Sequence, residues 1–239
     1  MYITSTNSTN TLLKELVAKG EWRESERFIR AGYQTAGRGQ TGNGWESEAD
    51  KNLLCSILLP PRQNLFELNV ITAVAVQRIL GEAFTIKWPN DIYWNDKKVA
   101  GILIENAIIG NEIKYSIAGI GLNVNQTTFV SNAPNPVSLK QITGIDYDLD
   151  ELMAQLMTAV GRALKEDVWE YYKAHLYRRE GFWPFVEREV STAPTMNADS
   201  LTDSFMACIK DILPTGEIIL QDQQGKERKY HFKQVRYVI

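Results

Sequence analysis

Gly32-Tyr33-Gln34-Thr35-Ala36-Gly37-Arg38-Gly39-Gln40-Thr41-Gly42-Asn43-Gly44-Trp45 is the stretch on which the fold assignment turns. Five of the sixteen glycines of this 239-residue chain fall in it, and Arg38 is its only charged side chain. Glycines let a backbone take positive φ and bring its N–H groups close to an anion. A guanidinium between two of them adds a planar, permanent donor for phosphate or carboxylate. Gly37, Gly39 and Gly42 also match the G-x-G-x-x-G spacing of dinucleotide-binding folds. That motif requires a strand leading in and a helix leading out. Here Asn43-Gly44-Trp45-Glu46-Ser47-Glu48 follows, turn chemistry with no apolar helical period. The doubly wound fold is therefore rejected, and a nicotinamide-dependent oxidoreductase with it. A plain surface loop accounts for the composition equally well, so residues outside the segment must decide.

Bulk composition narrows the classes. The chain is 44% hydrophobic and 23% charged, as ordinary globular proteins are. Its 26 basic against 29 acidic residues give a net charge of −3, which argues against a general nucleic-acid or membrane-surface binder. Cys55 and Cys208 are too few for a disulfide scaffold, and His175 and His231 lack metal-ligand spacing. With no signal peptide or twenty-residue apolar span, a soluble cytoplasmic protein is expected.

Outward from the glycine stretch, Ser8-Thr9-Asn10 precedes Leu12, Leu13, Leu16 and Val17 and reads as a capped helix ending at Gly20. Residues 28–33 read as a strand feeding the glycines, and 52–59 as a buried strand closed by Pro60-Pro61. Residues 65–80 keep a helical period. Short strands are expected over 85–88, 92–94, 98–107 and 113–123, with a hairpin turn at Asn95-Asp96-Lys97. A loop spans 131–138 and one long helix runs from 149 to about 174. Residues 192–200 read as a linker, followed by strands over 205–209, 217–220, 229–232 and 235–239. The division expected is a larger domain, 1–190, and a small all-β domain, 191–239, docked on it.

Three further segments share chemistry with the glycines. Lys87-Trp88-Pro89-Asn90-Asp91 sets a cation, an aromatic plane, an amide and a carboxylate at a strand end. Lys98-Val99-Ala100-Gly101-Ile102-Leu103 opens the next strand with a second cation. Gly119, Gly121 and Asn123 share one strand face at i, i+2 and i+4, leaving a bare patch for a flat ligand. Taken singly, Lys87 and Lys98 read as solvated edge charges, Asp91 as a turn former and the glycines as a bulge.

Taken in order, the set resembles the biotin–protein ligases. That family carries Ser-Thr-Asn, then Gln-x-x-Gly-Arg-Gly ending in Trp, Lys-Trp-Pro-Asn-Asp, Lys-(Leu/Val)-Ala-Gly-Ile-Leu and Gly-x-Gly-x-Asn. All five occur here, over roughly residues 5 to 125. The resemblance implies an α+β fold: a mixed sheet with helices like the class II aminoacyl-tRNA synthetases, plus an SH3-like C-terminal barrel. It implies an ATP-dependent biotin–[biotin carboxyl-carrier protein] ligase. Such an enzyme forms biotinyl-5′-adenylate and transfers biotin to a lysine of a carrier domain of acetyl-CoA carboxylase.

The same resemblance implies the site. Arg38, Lys98 and Asp91 are its catalytic residues. Biotin meets Ser8, Thr9, Asn10, Gln34, Gly37, Arg38, Gly39, Gln40, Trp45, Lys98, Gly119 and Gly121. ATP and the adenylate meet Arg38, Gln40, Asn90, Lys98 and Asn123. Asp91 is implied either as a Mg²⁺ ligand or as acceptor for the incoming amine. Because the adenylate hydrolyses in water, residues 35–44 are expected to act as a lid. Where relatives often carry a second Arg, this chain has Gln40, which weakens the hold on the adenylate unless another group compensates. A monofunctional ligase without a DNA-binding domain is expected, homodimerisation is possible, and neither DNA nor membrane is a partner. The alternatives are a lipoate–protein ligase or octanoyltransferase of the same fold, and a non-catalytic biotin or nucleotide sensor.

Overall fold

The computed structural model describes residues 1–23, 27–40, 43–110, 112–131, 134–188 and 204–239. A seven-stranded sheet forms its centre, in the order β1-β2-β3-β7-β6-β5-β4. The strands are β1 (Tyr2–Thr6), β2 (Phe28–Gln34), β3 (Leu53–Leu59), β4 (Phe84–Lys87), β5 (Asp91–Trp94), β6 (Lys97–Ile109) and β7 (Glu112–Leu122). Only β1 and β2 run parallel; every other neighbouring pair is antiparallel. Among the described residues no helix opens from the glycine stretch, which instead links two antiparallel strands. Rejection of the dinucleotide-binding fold therefore stands.

β3 is buried on both faces, so its run of apolar residues divides by parity. Leu53, Cys55, Ile57 and Leu59 join the main core beneath α2 (Leu65–Leu80) and α4 (Leu149–Ala163). Leu58 instead faces the smaller cluster of Leu13, Ile29 and Ile117 under α1 (Thr9–Ala18). Period-two alternation between two covered faces explains a continuous hydrophobic strand. α2 spans the expected range and is buried nearly all round. Asn64 caps it by accepting from Phe66 N at 3.0 Å, and it ends at Gly81 with φ +94°.

Several elements depart from expectation. Ser8 occupies the N-cap of α1 but makes no side-chain capping bond. The long helix expected over 149–174 is broken into α4 and α5 (Trp169–Ala174). Asp167 accepts from Trp169 N at 3.1 Å, a side-chain bond that restarts the chain rather than continuing it. A short helix, α3 (Leu139–Thr143), follows the expected loop. Its Ser138–Gln141 capping box was legible in the sequence. The expected linker 192–200 lies outside the described residues.

A second, antiparallel sheet has the order β11-β10-β9-β8-β12. Its strands are β8 (Trp183–Glu187), β9 (Ser204–Ile212), β10 (Ile218–Asp222), β11 (Glu227–Tyr230) and β12 (Val235–Tyr237). β8 lies ahead of residue 191, where the small domain was expected to start, and its pattern is masked by Pro184. Pro184 is in register with Met206 of β9 and its carbonyl accepts from Val238 N at 3.1 Å; the N–H it lacks would face Val238 O, which accepts from Arg178 Nη1 at 2.7 Å instead. Among the described residues no helix is long and apolar enough to cross a membrane.

Candidate active site

A cavity of about 170 Å³ opens on the α1 face of the large sheet. Its walls come from residues 8–10, Gln34, residues 38–40 and 43–45, residues 87–91, Lys98, and the glycines of β6 and β7. Gly119 lies opposite Leu103 and Ser56, and Gly121 opposite Gly101 and Leu54, so three side-chain-free positions adjoin on one face.

The glycine stretch forms a narrow tongue. Gly39 N donates to Asn43 O at 2.8 Å, Asn43 N to Gln40 O at 3.1 Å, and Trp45 N to Gly37 O at 2.9 Å. Arg38 and Gly44 face each other as an antiparallel bridge. A Cβ at Gly37 would stand 2.7 Å from Trp45 O, so the two arms approach this closely only without one. The tongue lays Trp45 on the glycine patch. A Cβ on Gly121 would lie 2.7 Å from its Cζ2 and Nε1, and one on Gly101 3.0 Å from its Cζ3. Within the patch expected to admit a flat ligand, Gly121 is thus covered by the protein's own indole, and Gly119 faces Asn10.

Beneath the tongue runs a polar network, buried at Thr9, Asn10 and Ser56 and open to solvent at Arg38 and Glu105. Gln34 Oε1 accepts from Thr9 N at 2.7 Å and from Thr9 Oγ1 at 3.1 Å. Ser56 Oγ stands 2.7 Å from Thr9 Oγ1 and 2.5 Å from Asn10 Oδ1. Asn10 Nδ2 donates to Glu105 Oε2 at 2.7 Å. Arg38 Nη2 donates to Thr11 Oγ1 at 3.0 Å and reaches Glu105 Oε2 at 3.4 Å. Ser56 and Glu105 escaped the sequence reading. A lone hydroxyl inside the apolar run 52–59 was a signal, because a buried polar group demands a partner.

Arg38 and Lys98 line the same cavity. Lys98 Nζ lies 2.6 Å from Asp91 Oδ1 and 5.8 Å above the Trp45 ring. Lys87 sits between Tyr93 and Tyr237, 5.1 and 5.2 Å from their ring centres. Burial depresses the pKa of its ammonium; Lys98 and Arg178 push the same way, and Asp91 opposes them. Asn90 reaches the wall, with its amide donating to Ile102 O. Asn123 does not. Its amide donates to Val137 O at 3.2 Å and Lys98 O at 3.5 Å, so it acts from behind the wall on the Lys98 backbone. Gly37 likewise shapes the tongue without lining the cavity.

Gln40 Oε1 and Trp45 Nε1, on two residues of the wall, are buried without a hydrogen-bond partner among the described residues. One is an acceptor and one a donor, and native interiors rarely leave either unpaired. Trp45 Nε1 lies against Gly121, so a ligand reaches it only if the indole shifts. Phe232 and Lys233 of the second sheet complete the rim, and nothing in the local sequence announced them. The described residues contain no group of three His, Cys, Asp or Glu that could hold a metal.

Comparisons with known proteins identify the family. The model of the biotin/lipoate A/B protein ligase family matches residues 2–123. The bifunctional ligase/repressor BirA of Bacillus subtilis (strain 168) is 28% identical over 219 residues, 85% of this chain and 64% of that protein. The biotin–[acetyl-CoA-carboxylase] ligase of Paracoccus denitrificans is 31% identical over 170 residues, 66% of this chain and 69% of the relative. In fold, the biotin protein ligase from Aquifex aeolicus, solved in complex with biotin and ATP, superposes with a TM-score of 0.77. It is 24% identical, covering 100% of this chain and 98% of that one. The chain therefore belongs to the biotin/lipoate A/B protein ligase family.

Proposed function

We propose that the chain activates biotin with ATP to biotinyl-5′-adenylate and transfers biotin to a lysine of a biotin carboxyl carrier domain. One observation carries this reading: Arg38 and Lys98 face a single cavity whose wall also holds an unpaired acceptor and an unpaired donor. In the first step a carboxylate oxygen of biotin bonds to the α-phosphorus. The bond from phosphorus to the bridging oxygen breaks, and pyrophosphate leaves with the electron pair. Two anions must meet, so fixed positive charge is the main requirement. Lys98 exchanges Asp91 for the reacting oxygens, and Arg38 exchanges Glu105 for the phosphate. In the second step the carrier amine attacks the acyl carbon, an amide forms, AMP departs and the amine loses a proton. Asp91, released from Lys98, is placed to accept from that amine.

Biotin's ureido group suits the Ser8, Thr9, Asn10 and Gln34 end of the cavity, where donors and acceptors are already fixed. Ser8, which caps nothing, keeps its hydroxyl for the ligand. Trp45 and Gly39 cover its apolar part, with Gly121 giving the indole room to lie flat and Gly119 giving Asn10 room. Gln40 and Asn90 serve the nucleotide, and Asn123 steadies Lys98. Asp91 is the only carboxylate among the described wall residues. It fits a Mg²⁺ that arrives on the nucleotide, because that ion usually binds one or two carboxylates plus phosphates. The ion would supply neutralisation of phosphate charge.

A division into a larger unit and a small all-β unit, with the boundary ahead of β8 rather than at residue 191, belongs to the same reading, as do cytoplasmic location, pairing of two copies and lack of DNA contact. Gel filtration and a DNA-binding assay check the last two. Mass spectrometry of a carrier domain incubated with the protein, biotin, ATP and Mg²⁺ tests the activity: the mass gained is that of one biotinyl group. Gain of a lipoyl group instead, with lipoate supplied, would identify the lipoate branch of the family. Biotin binding without pyrophosphate release would identify a sensor.

A further inference from the structure

The second sheet carries Lys233, beside Phe232, to the exposed rim of the cavity. The turn that holds it is firmly set. Gln234 N donates to His231 O at 3.1 Å, and His231 N donates to Gln234 Oε1 at 2.7 Å. Phe232 packs edge-on against Trp88 with ring centres 6.1 Å apart. Trp88 Nε1 in turn donates to Gly216 O at 3.0 Å. Two turns of the second sheet are thus fastened to the segment that carries Lys87 and Asp91. At the third position of its turn Lys233 has φ +73°. Glycine or asparagine takes that conformation at little cost, whereas a lysine is strained there by its Cβ. Such strain persists where the surroundings over-determine it, and it clusters at ligand clamps.

Charge gives a second, independent reason. Four cations line the cavity: Arg38, Lys87, Lys98 and Lys233. Arg38 leans on Glu105, Lys98 is paired with Asp91, and Lys87 is sandwiched between two tyrosine rings. Among the described residues no ion pair involves Lys233, whose Nζ lies 6.0 Å over the Phe232 ring. Lys87 is held between its tyrosine rings, so Lys233 is the exposed wall cation, among the described residues, with no ion pair to surrender when an anion arrives.

We propose that Lys233 binds the β- and γ-phosphates of the nucleotide and holds the pyrophosphate as it leaves, a reading that rests on the ligase function above. The second sheet thereby supplies part of the nucleotide site. The test is pyrophosphate release by the full chain at saturating biotin with ATP varied, for wild type, Lys233→Gly and Lys233→Arg. Lys233→Gly removes the cation and relieves the strain, so its Tm equals or exceeds that of wild type. Its KM for ATP rises about tenfold, the size expected for one charge-assisted contact, while biotin affinity measured calorimetrically is unchanged. Lys233→Arg keeps most of the nucleotide affinity. Wild-type kinetics in Lys233→Gly, an equal weakening of biotin, or Lys233→Arg as impaired as Lys233→Gly each overturn the assignment. If wild type itself releases no pyrophosphate with biotin, the ligase reading fails instead. Calorimetric ATP binding by wild type and Lys233→Gly then decides the role of Lys233 alone.

Discussion

Alanine at Gly121 and alanine at Gly119 add the same methyl group two residues apart, yet the structure assigns them different consequences. At Gly121 the Cβ would meet Trp45 Cζ2 and Nε1 at 2.7 Å; at Gly119 it would meet Asn10 Cγ and Nδ2 at 2.9 Å. Overpacking of this kind costs about 1–3 kcal/mol. Trp45 stands on a tongue closed by its own backbone bonds, so it can swing away without disturbing the sheet. Asn10 cannot. It belongs to the first turn of α1, and its side chain is tied to Ser56, Glu105 and Leu103. Gly119→Ala therefore bears the overpacking plus about 1 kcal/mol for a lost hydrogen bond. At about 2–4 °C per kcal/mol for a chain of this size, its Tm falls by about 4–16 °C. Gly121→Ala leaves Tm within about 2 °C of wild type, because the strain is released by lifting the indole. Lifting it removes about 1–3 kcal/mol from the closed tongue, read as biotin binding weakened about 5- to 150-fold. Scanning calorimetry, titration calorimetry and hydrogen exchange over residues 37–45 measure the three quantities. Equal losses of Tm in both variants, with biotin affinity of Gly121→Ala intact, would refute the argument.

Further outcomes follow from the polar groups around the cavity. Lys98→Ala is expected to abolish pyrophosphate release while changing stability by no more than about 1 kcal/mol, since its pair with Asp91 is partly solvated; turnover like wild type would remove Lys98 from the mechanism. Ser56→Ala leaves Asn10 Oδ1 and Thr9 Oγ1 short of a partner in a fully buried setting, costing about 1–3 kcal/mol by denaturant titration. Glu46 accepts from Val130 N and Ser131 N, each at 2.8 Å. Burial alone would raise its carboxyl pKa, but the hydrogen bonds from Ser131, Val130 and Gln126 hold it below the ordinary value. A depressed pKa adds stability above the unfolded value and loses it as pH falls through the folded one. The gap between wild type and Glu46→Gln is accordingly constant from pH 6 to 8 and closes on acidification below about pH 4.5; a gap that widens with acid contradicts the assigned contacts.

Much of this architecture was legible because local chemistry and tertiary demand coincide. The apolar period of 65–80, the turn at 95–97 and the glycine spacing all state their structure in nearest-neighbour terms. What stayed hidden depends on partners distant in sequence. β1 is polar and exposed, and it becomes a strand only through parallel pairing with β2. β8 is disguised by Pro184. Within the site, the cations and glycines could be named, but their present partners could not. That Trp45 would cover Gly101 and Gly121, that Asn123 would turn its amide away to Val137, and that Phe232 and Lys233 would arrive from the far end of the chain are all products of folding rather than of spacing.

The position of β8 has a practical consequence for dissecting the molecule. This strand lies between β9 and β12 in the small sheet, yet it precedes them by a stretch that includes residue 190. A cut at that residue would strand Trp183–Glu187 on the larger fragment with both flanking ladders missing. The smaller fragment would have a gap where its fourth strand belongs. Transplanting the C-terminal unit between relatives, or expressing it alone, calls for a junction upstream of Trp183.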